Sequence, residues 1–295
     1  MKNNLPNFLI VGAGKSGTTS LYYYLKQHPA IYMSPLKEPH YLICDSLVKP
    51  HLSSGAHKYN TPIVKDFEEY KDIFSGAKDE SQIGEASTGY LYYYKDAIPQ
   101  IKRVLGNIKI IIILRNPIDR AYSHYLHHIR DGSEQLSFEE ALQVENERKK
   151  SNWAWTFFYK EVGMYYEQVK AYLSNFENVK IFLFDELNKD APTLVKNIYS
   201  FLEVDNSFTP NLKTHYNVSG LNRYKVVHNL IAKPNLLKSV VKQMVSKAKR
   251  EQIKRYFLKK PTMKTDTKKY LIEVFREDIL ALLNLIDRDL LHWLK

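Results

Sequence analysis

Phe8-Leu-Ile-Val-Gly-Ala-Gly-Lys-Ser-Gly-Thr-Thr-Ser-Leu21 sets the fold. The apolar run Phe8 to Val11 predicts a buried strand, the glycine- and hydroxyl-rich segment after it a turn, and Leu21, Leu25 and the tyrosines between them the start of a helix. Strand, glycine turn and helix together present a row of backbone N–H groups and the positive end of a helix dipole to an anion. Further along, Ile108-Lys-Ile-Ile-Ile-Ile-Leu114 predicts a second, fully buried parallel strand. It ends at Arg115-Asn116-Pro117, and a helix follows from Ile118.

Periodicity between and beyond these segments predicts strands at 7–11, 30–33, 82–85, 108–114 and 179–184. Helices are predicted at 19–26, 95–104, 118–130, 137–149, 165–175, 191–202, 240–255 and 267–285, with Pro192 suited to a first helical turn. Strands alternating with helices imply an α/β fold: a P-loop-type central parallel β-sheet flanked by helices. No Pro/Gly/Ser-rich linker, low-complexity tract or repeat divides the 295 residues, so one domain spanning 1–295 is expected.

The single cysteine, Cys44, excludes an internal disulfide, fits a reducing compartment and reads as a packed small residue. No signal peptide opens the sequence, and no apolar run reaches the length of a membrane span. The net charge of +11 calls for anionic partners: a phosphorylated ligand, an acidic acceptor, or peripheral contact with a lipid or polymer surface. Nucleic acid is set aside. The chain carries no nucleic-acid fingerprint, and its densest basic run (Lys247, Lys249, Arg250, Lys254, Arg255) reads as a solvated helix face.

The first loop fits two phosphate motifs on paper. Gly12-Ala-Gly14-Lys-Ser-Gly17 is a literal G-x-G-x-x-G. The dinucleotide reading also needs an acidic residue ending the second strand, and Glu38 instead follows Pro35 in a Lys37-Glu38-Pro39 segment. The Walker frame places Thr18 where the phosphate lysine belongs, the lysine having moved to Lys15. After the strand that ends at Leu114, Arg115 stands where a magnesium carboxylate would follow. A nucleoside-triphosphate-dependent kinase is therefore the rival enzyme, and a non-catalytic nucleotide- or glycan-binding module the rival outside enzymes.

Lys15-Ser16-Gly17-Thr18-Thr19-Ser20-Leu21 resembles the cofactor loop of the sulfotransferases that use 3′-phosphoadenosine 5′-phosphosulfate (PAPS), which reads K-x-G-T-[ST]-x-L. The resemblance implies that Gly14, Lys15, Ser16, Gly17, Thr18 and Thr19 wrap the 5′-phosphosulfate with backbone N–H groups and hydroxyls, with Lys15 beside the bridging oxygen. Arg115, with Ser123 two turns into the next helix, resembles the family's 3′-phosphate motif. Arginine suits that task as a bidentate, always-charged clamp.

Pro35-Leu-Lys-Glu38-Pro-His40-Tyr-Leu resembles the segment that supplies the catalytic carboxylate in glycan sulfotransferases. Glu38 is thus the expected base, and Glu85 the next candidate. In an extended segment Glu38 and His40 share a face, so the sequence leaves open which of the two takes the proton. Ile83-Gly-Glu85-Ala-Ser-Thr88-Gly-Tyr90, Gly163-Met-Tyr165-Tyr and Val179–Leu187 resemble later elements of the same family. Asn217-Val-Ser-Gly-Leu-Asn-Arg223 resembles the loop closing over the nucleotide, with Asn217 and Arg223 as contacts. Ala86 departs from the lysine of many glycan members, and the lone cysteine from the late disulfide of the animal heparan members. Those animal enzymes carry a Golgi anchor; its absence suggests a bacterial cytoplasmic enzyme.

The expected activity is transfer of sulfuryl from PAPS, leaving PAP, to a hydroxyl or amine of a carbohydrate or glycolipid. No metal is expected, because a sulfuryl group carries less charge than a phosphoryl group. Trp153-Ala-Trp155 with Phe157-Phe-Tyr159 falls in an expected loop, either as a platform for sugar rings or as packing.

Overall fold

The computed structural model describes residues 4–47, 63–212, 221–222, 258–259 and 262–295. Asn217, Arg223, the predicted helix 240–255 and its basic run lie outside the described residues.

Five strands form one sheet: β1 (Phe8–Gly12), β2 (Ile31–Met33), β3 (Gln82–Ala86), β4 (Lys109–Leu114) and β5 (Val179–Leu183). Their order is β2-β3-β1-β4-β5 and every pairing is parallel. Register places Leu9 beside Glu85 and Ile110, so the central strand is flanked on both sides near its midpoint. Successive side chains alternate between the sheet's faces. Leu9, Val11, Ile110, Ile112 and Leu114 enter one apolar cluster, while Phe8, Ile10, Ile111 and Ile113 enter another. All nine are fully buried, as a strand covered by helices on both faces requires.

The first cluster packs against helices Tyr94–Val104, Pro117–Asp131, Tyr166–Asn175 and Thr265–Ile286; the second packs against Thr18–Leu25 and Ala191–Leu202. Helix ends follow local chemistry. Asn116 accepts from the Ile118 N–H at 2.9 Å ahead of Pro117, and Gly132 ends that helix in the left-handed region.

The predicted helix 137–149 is in fact two, Phe138–Gln143 and Glu145–Lys150, broken at Val144. The break serves tertiary contacts that periodicity does not encode. Arg148 makes a bidentate pair with buried Glu134 (2.7 and 2.9 Å), and Glu145 accepts the Lys160 and Glu161 N–H groups. Cys44 is half-buried at the start of a short helical turn, not packed in the core. Burial and Asp45 push its thiol pKa up, away from nucleophile chemistry.

β1 lies in the middle of the sheet, with the β2–β3 connection on one side and β4–β5 on the other. Ligand crevices of open parallel sheets form at the carboxyl ends of such strands. The turns after β1, β2, β3 and β4 carry, in that order, Gly12–Gly17, Lys37–His40, Ser87–Thr88 and Arg115. Four segments far apart in sequence therefore open on one end of the sheet.

Candidate active site

The turn after β1 is shaped by residues with positive φ. Lys15 (φ 70°) and Gly17 (φ 90°) both lie in the left-handed region. A Cβ on Gly17 would also stand 2.6 Å from the tip of the Leu187 side chain, which would have to shift, so the turn favours glycine there on both counts. Helix Thr18–Leu25 then begins with no side-chain cap and no acidic residue in its first turn. The helices starting at Phe67, Pro117, Phe138 and Ala191 are, by contrast, capped by Asp66, Asn116, Ser137 and Asp190. The start of the first helix is thus a concentration of positive dipole with neither a side-chain cap nor a first-turn carboxylate set against it.

Ser16, inside this turn, is fully buried and its Oγ faces the equally buried Tyr165 hydroxyl; neither oxygen finds any other hydrogen-bond partner among the described residues. Burial raises the Tyr165 phenol to about 12, against the pull of Arg120, Ser16 and Arg115, so it stays a proton donor. Buried hydroxyls are normally satisfied. Ser16 and Tyr165 therefore fit a site whose remaining partner is the oxygen of an anion.

Arg115, at the end of β4, reaches back to this turn. Its Nη1 donates to the Lys15 carbonyl at 3.1 Å, and its guanidinium lies 4.7 Å from the centre of the Phe184 ring. Ser123 is buried two turns into helix Pro117–Asp131. Lys15 is brought into a cationic group: burial, then Arg130, Arg115 and Lys37, lower its ammonium to about 8, and only Glu38 acts in the other direction. A lysine so placed is stabilised by an incoming polyanion.

Glu38 and His40 meet, but not as expected. The segment is not extended. Both residues have positive φ (63° and 55°), on either side of Pro39, and the bend brings His40 Nε2 to 3.4 Å from Glu38 Oε2. Lys37 pairs with the other carboxylate oxygen. Burial opposes ionisation of Glu38, but Lys37 and His40 outweigh it and hold the carboxyl far below its ordinary range. His40 is 2% exposed, whereas the Glu38 side chain is 25% exposed, so Glu38 is the member an acceptor can reach. Glu85 is sealed at 0% exposure.

Sequence reasoning missed the rest of the cationic rim. Ser123, His127 and Arg130 fall at i, i+4 and i+7, one stripe of the helix. His127 Nδ1 lies 2.6 Å from an Arg130 nitrogen. Burial, then Lys15 and Arg130, lower His127 to about 3, so it is neutral. That helical spacing, starting from Ser123, was the available signal. The aromatic segment, in contrast, is packing. Trp155, Phe157, Phe158 and Tyr159 are buried, and Trp155 stacks on Tyr92 with the ring centres 5.6 Å apart.

The sulfotransferase domain family model matches residues 5–282. A sulfotransferase structure from Alicyclobacillus acidocaldarius aligns over 99% of both chains at 33% identity, with a TM-score of 0.79. Membrane-associated sulfotransferase kil1 of Dictyostelium discoideum is 36% identical over 121 residues, 41% of this chain and 22% of that protein. Human bifunctional heparan sulfate N-deacetylase/N-sulfotransferase 2 is 32% identical over 130 residues, 42% of this chain and 13% of that protein. The chain thus aligns with less than a quarter of the length of these two larger relatives. No helix among the described residues is long and apolar enough to cross a membrane.

Proposed function

The chain belongs to the sulfotransferase domain family, and on that footing we propose that it moves the sulfuryl group of PAPS to a hydroxyl or amine of a carbohydrate or glycolipid. The observation that carries this reading is the opposition of Lys15, set among Arg115, Arg130 and Lys37, to the partly exposed carboxylate of Glu38. A tetra-anionic donor matches the first group, and a proton-bearing acceptor matches the second.

The roles follow. The turn Gly14–Thr19 and the uncapped helix start hold the phosphosulfate end, with Ser16 supplying a buried hydroxyl. Arg115 and Ser123 hold the 3′-phosphate. The acceptor oxygen or nitrogen attacks sulfur opposite the phosphate. Its proton passes to Glu38 as the new bond to sulfur forms. The sulfur–oxygen bond to phosphate breaks, and charge grows on the bridging oxygen beside the Lys15 ammonium. PAP leaves. Since His40 is buried behind Glu38, it orients the carboxylate while Glu38 takes the proton. The carbohydrate class rests on the likeness to the heparan sulfate enzyme and on the Lys37–His40 segment.

Thermal denaturation tests the donor. PAP at a hundredfold excess over its dissociation constant stabilises the fold by about 2.7 kcal/mol, whereas ATP with magnesium leaves it nearly unchanged. Equal, magnesium-dependent stabilisation by ATP would overturn the reading in favour of a kinase. Radiolabelled PAPS incubated with amino sugars, neutral oligosaccharides and glycolipids then tests the acceptor.

A further inference from the structure

Glu85 is a fully buried carboxylate at the end of β3, and the transfer steps above make no use of it. Its two oxygens are both engaged. Tyr70 donates its hydroxyl to Oε2 at 2.5 Å, and Ser87 donates to Oε1 at 2.6 Å. Burial raises the Glu85 pKa, against the pull of the Ser87, Tyr70 and Tyr90 hydroxyls.

A serine hydroxyl has one proton and two lone pairs. With that proton committed to Glu85, the Ser87 oxygen can only accept from other donors. Beside the Tyr90 hydroxyl, the donor it meets is the His40 backbone N–H, at 3.4 Å. One residue earlier in β3, the Ala86 carbonyl accepts the Glu38 N–H at 3.0 Å. The two bonds grip the N–H groups of the two residues that sit at positive φ around Pro39. Non-glycine residues hold that backbone region only where their surroundings over-determine it.

We propose that Glu85 is the positioning residue of the base: by fixing the Ser87 hydroxyl as an acceptor, it locks the Glu38–Pro39–His40 bend that puts the Glu38 carboxylate against His40 and Lys37. This rests on the assignment of Glu38 as base, and it explains why a carboxylate stands where no acceptor can reach it.

Ser87→Ala is the cleanest test, since it removes one oxygen from a small side chain. The groups facing Glu38 are Lys37, His40 and Lys15. Carboxyl carbon NMR of the intact protein follows the Glu38 titration, with the signal assigned by its loss in Glu38→Gln. In the unaltered chain Glu38 stays ionised to the lowest pH at which the fold survives. In Ser87→Ala, and in Glu85→Gln where a donor replaces an acceptor, it titrates in the ordinary carboxylate range, and Ser87→Thr restores the low value. Transfer from radiolabelled PAPS to an amino-sugar acceptor falls about tenfold in Ser87→Ala, the scale of one lost hydrogen bond, with PAP affinity unchanged. An unshifted Glu38 titration in Ser87→Ala overturns the proposal. Because the titration needs no turnover, an active Glu38→Gln would sink the base assignment and leave the positioning result standing by itself.

Discussion

Arg115 Nη1 donates to the carbonyl oxygen of Lys15 at 3.1 Å, across about 100 residues of sequence. The residue assigned to the donor's 3′-phosphate thus also fixes the backbone of the residue assigned to its sulfuryl end. On the proposed assignment, the two ends of the donor site are tied by this one hydrogen bond, and a substitution at Arg115 should be felt at Lys15.

Arg115→Ala should weaken PAP binding by one to two orders of magnitude, from loss of a charge-assisted contact of about 1.5–3 kcal/mol. A smaller loss of turnover should accompany it, because the Lys15 carbonyl is released. Ser123→Ala should weaken binding more mildly and leave turnover alone. Titration calorimetry with PAP and saturating kinetics separate the effects; unchanged PAP affinity in Arg115→Ala would show that the 3′-phosphate binds elsewhere.

Lys15→Ala should act mainly on turnover, by about 10²–10³, as expected for a preorganised charge beside a developing one. Normal turnover with a raised Michaelis constant would make Lys15 a simple anchor.

Lys15 also predicts a proton linkage. In the free protein its ammonium is lowered to about 8, by burial and by Arg130 and Arg115. A bound polyanion favours the charged form and raises that value. Above pH 8, therefore, PAP binding should take up a proton, and affinity should fall as pH rises further; below about pH 7 the lysine is already charged and no uptake occurs. Calorimetry in two buffers of different ionisation enthalpy measures the uptake. Its persistence in Lys15→Met would assign the linkage to another group.

Glu38→Gln should keep PAP affinity and lower transfer to a hydroxyl by about 10²–10⁴. His40→Ala should lower it less. Because Lys37 and His40 hold the Glu38 carboxyl far below its ordinary range, turnover should persist at pH values where free carboxylates protonate. A dead His40→Ala beside an active Glu38→Gln would exchange the two roles.

Gly17→Ala should destabilise the fold by about 1–3 kcal/mol, since φ is 90° and the added carbon meets Leu187 at 2.6 Å. Denaturant unfolding measures this. A neutral result would mean that the turn relaxes, and PAP affinity would then report the cost.

Much of this protein is legible in its sequence. The β-branched run before Arg115 and the apolar run before Gly12 specify buried parallel strands, because only a strand covered on both faces tolerates continuous hydrophobicity. The five strands and the helix Ala191–Leu202 fall within a residue of their expected positions. The glycine at position 17 and the lysine displaced to position 15 mark a turn whose pattern is neither a Walker nor a dinucleotide one.

Other features were decided by tertiary structure. Positive φ at Glu38 and His40 is not a local preference of those residue types; in the fold their N–H groups meet the Ala86 carbonyl at the end of β3 and the Ser87 hydroxyl just after it. The break at Val144 follows from a buried Arg148–Glu134 pair. His127 and Arg130 join the site only because their helix runs beside the turn that carries Lys15. Periodicity is a property of one segment and can be read along it. Electrostatic company is a property of segments brought together, and the chain states it only once folded.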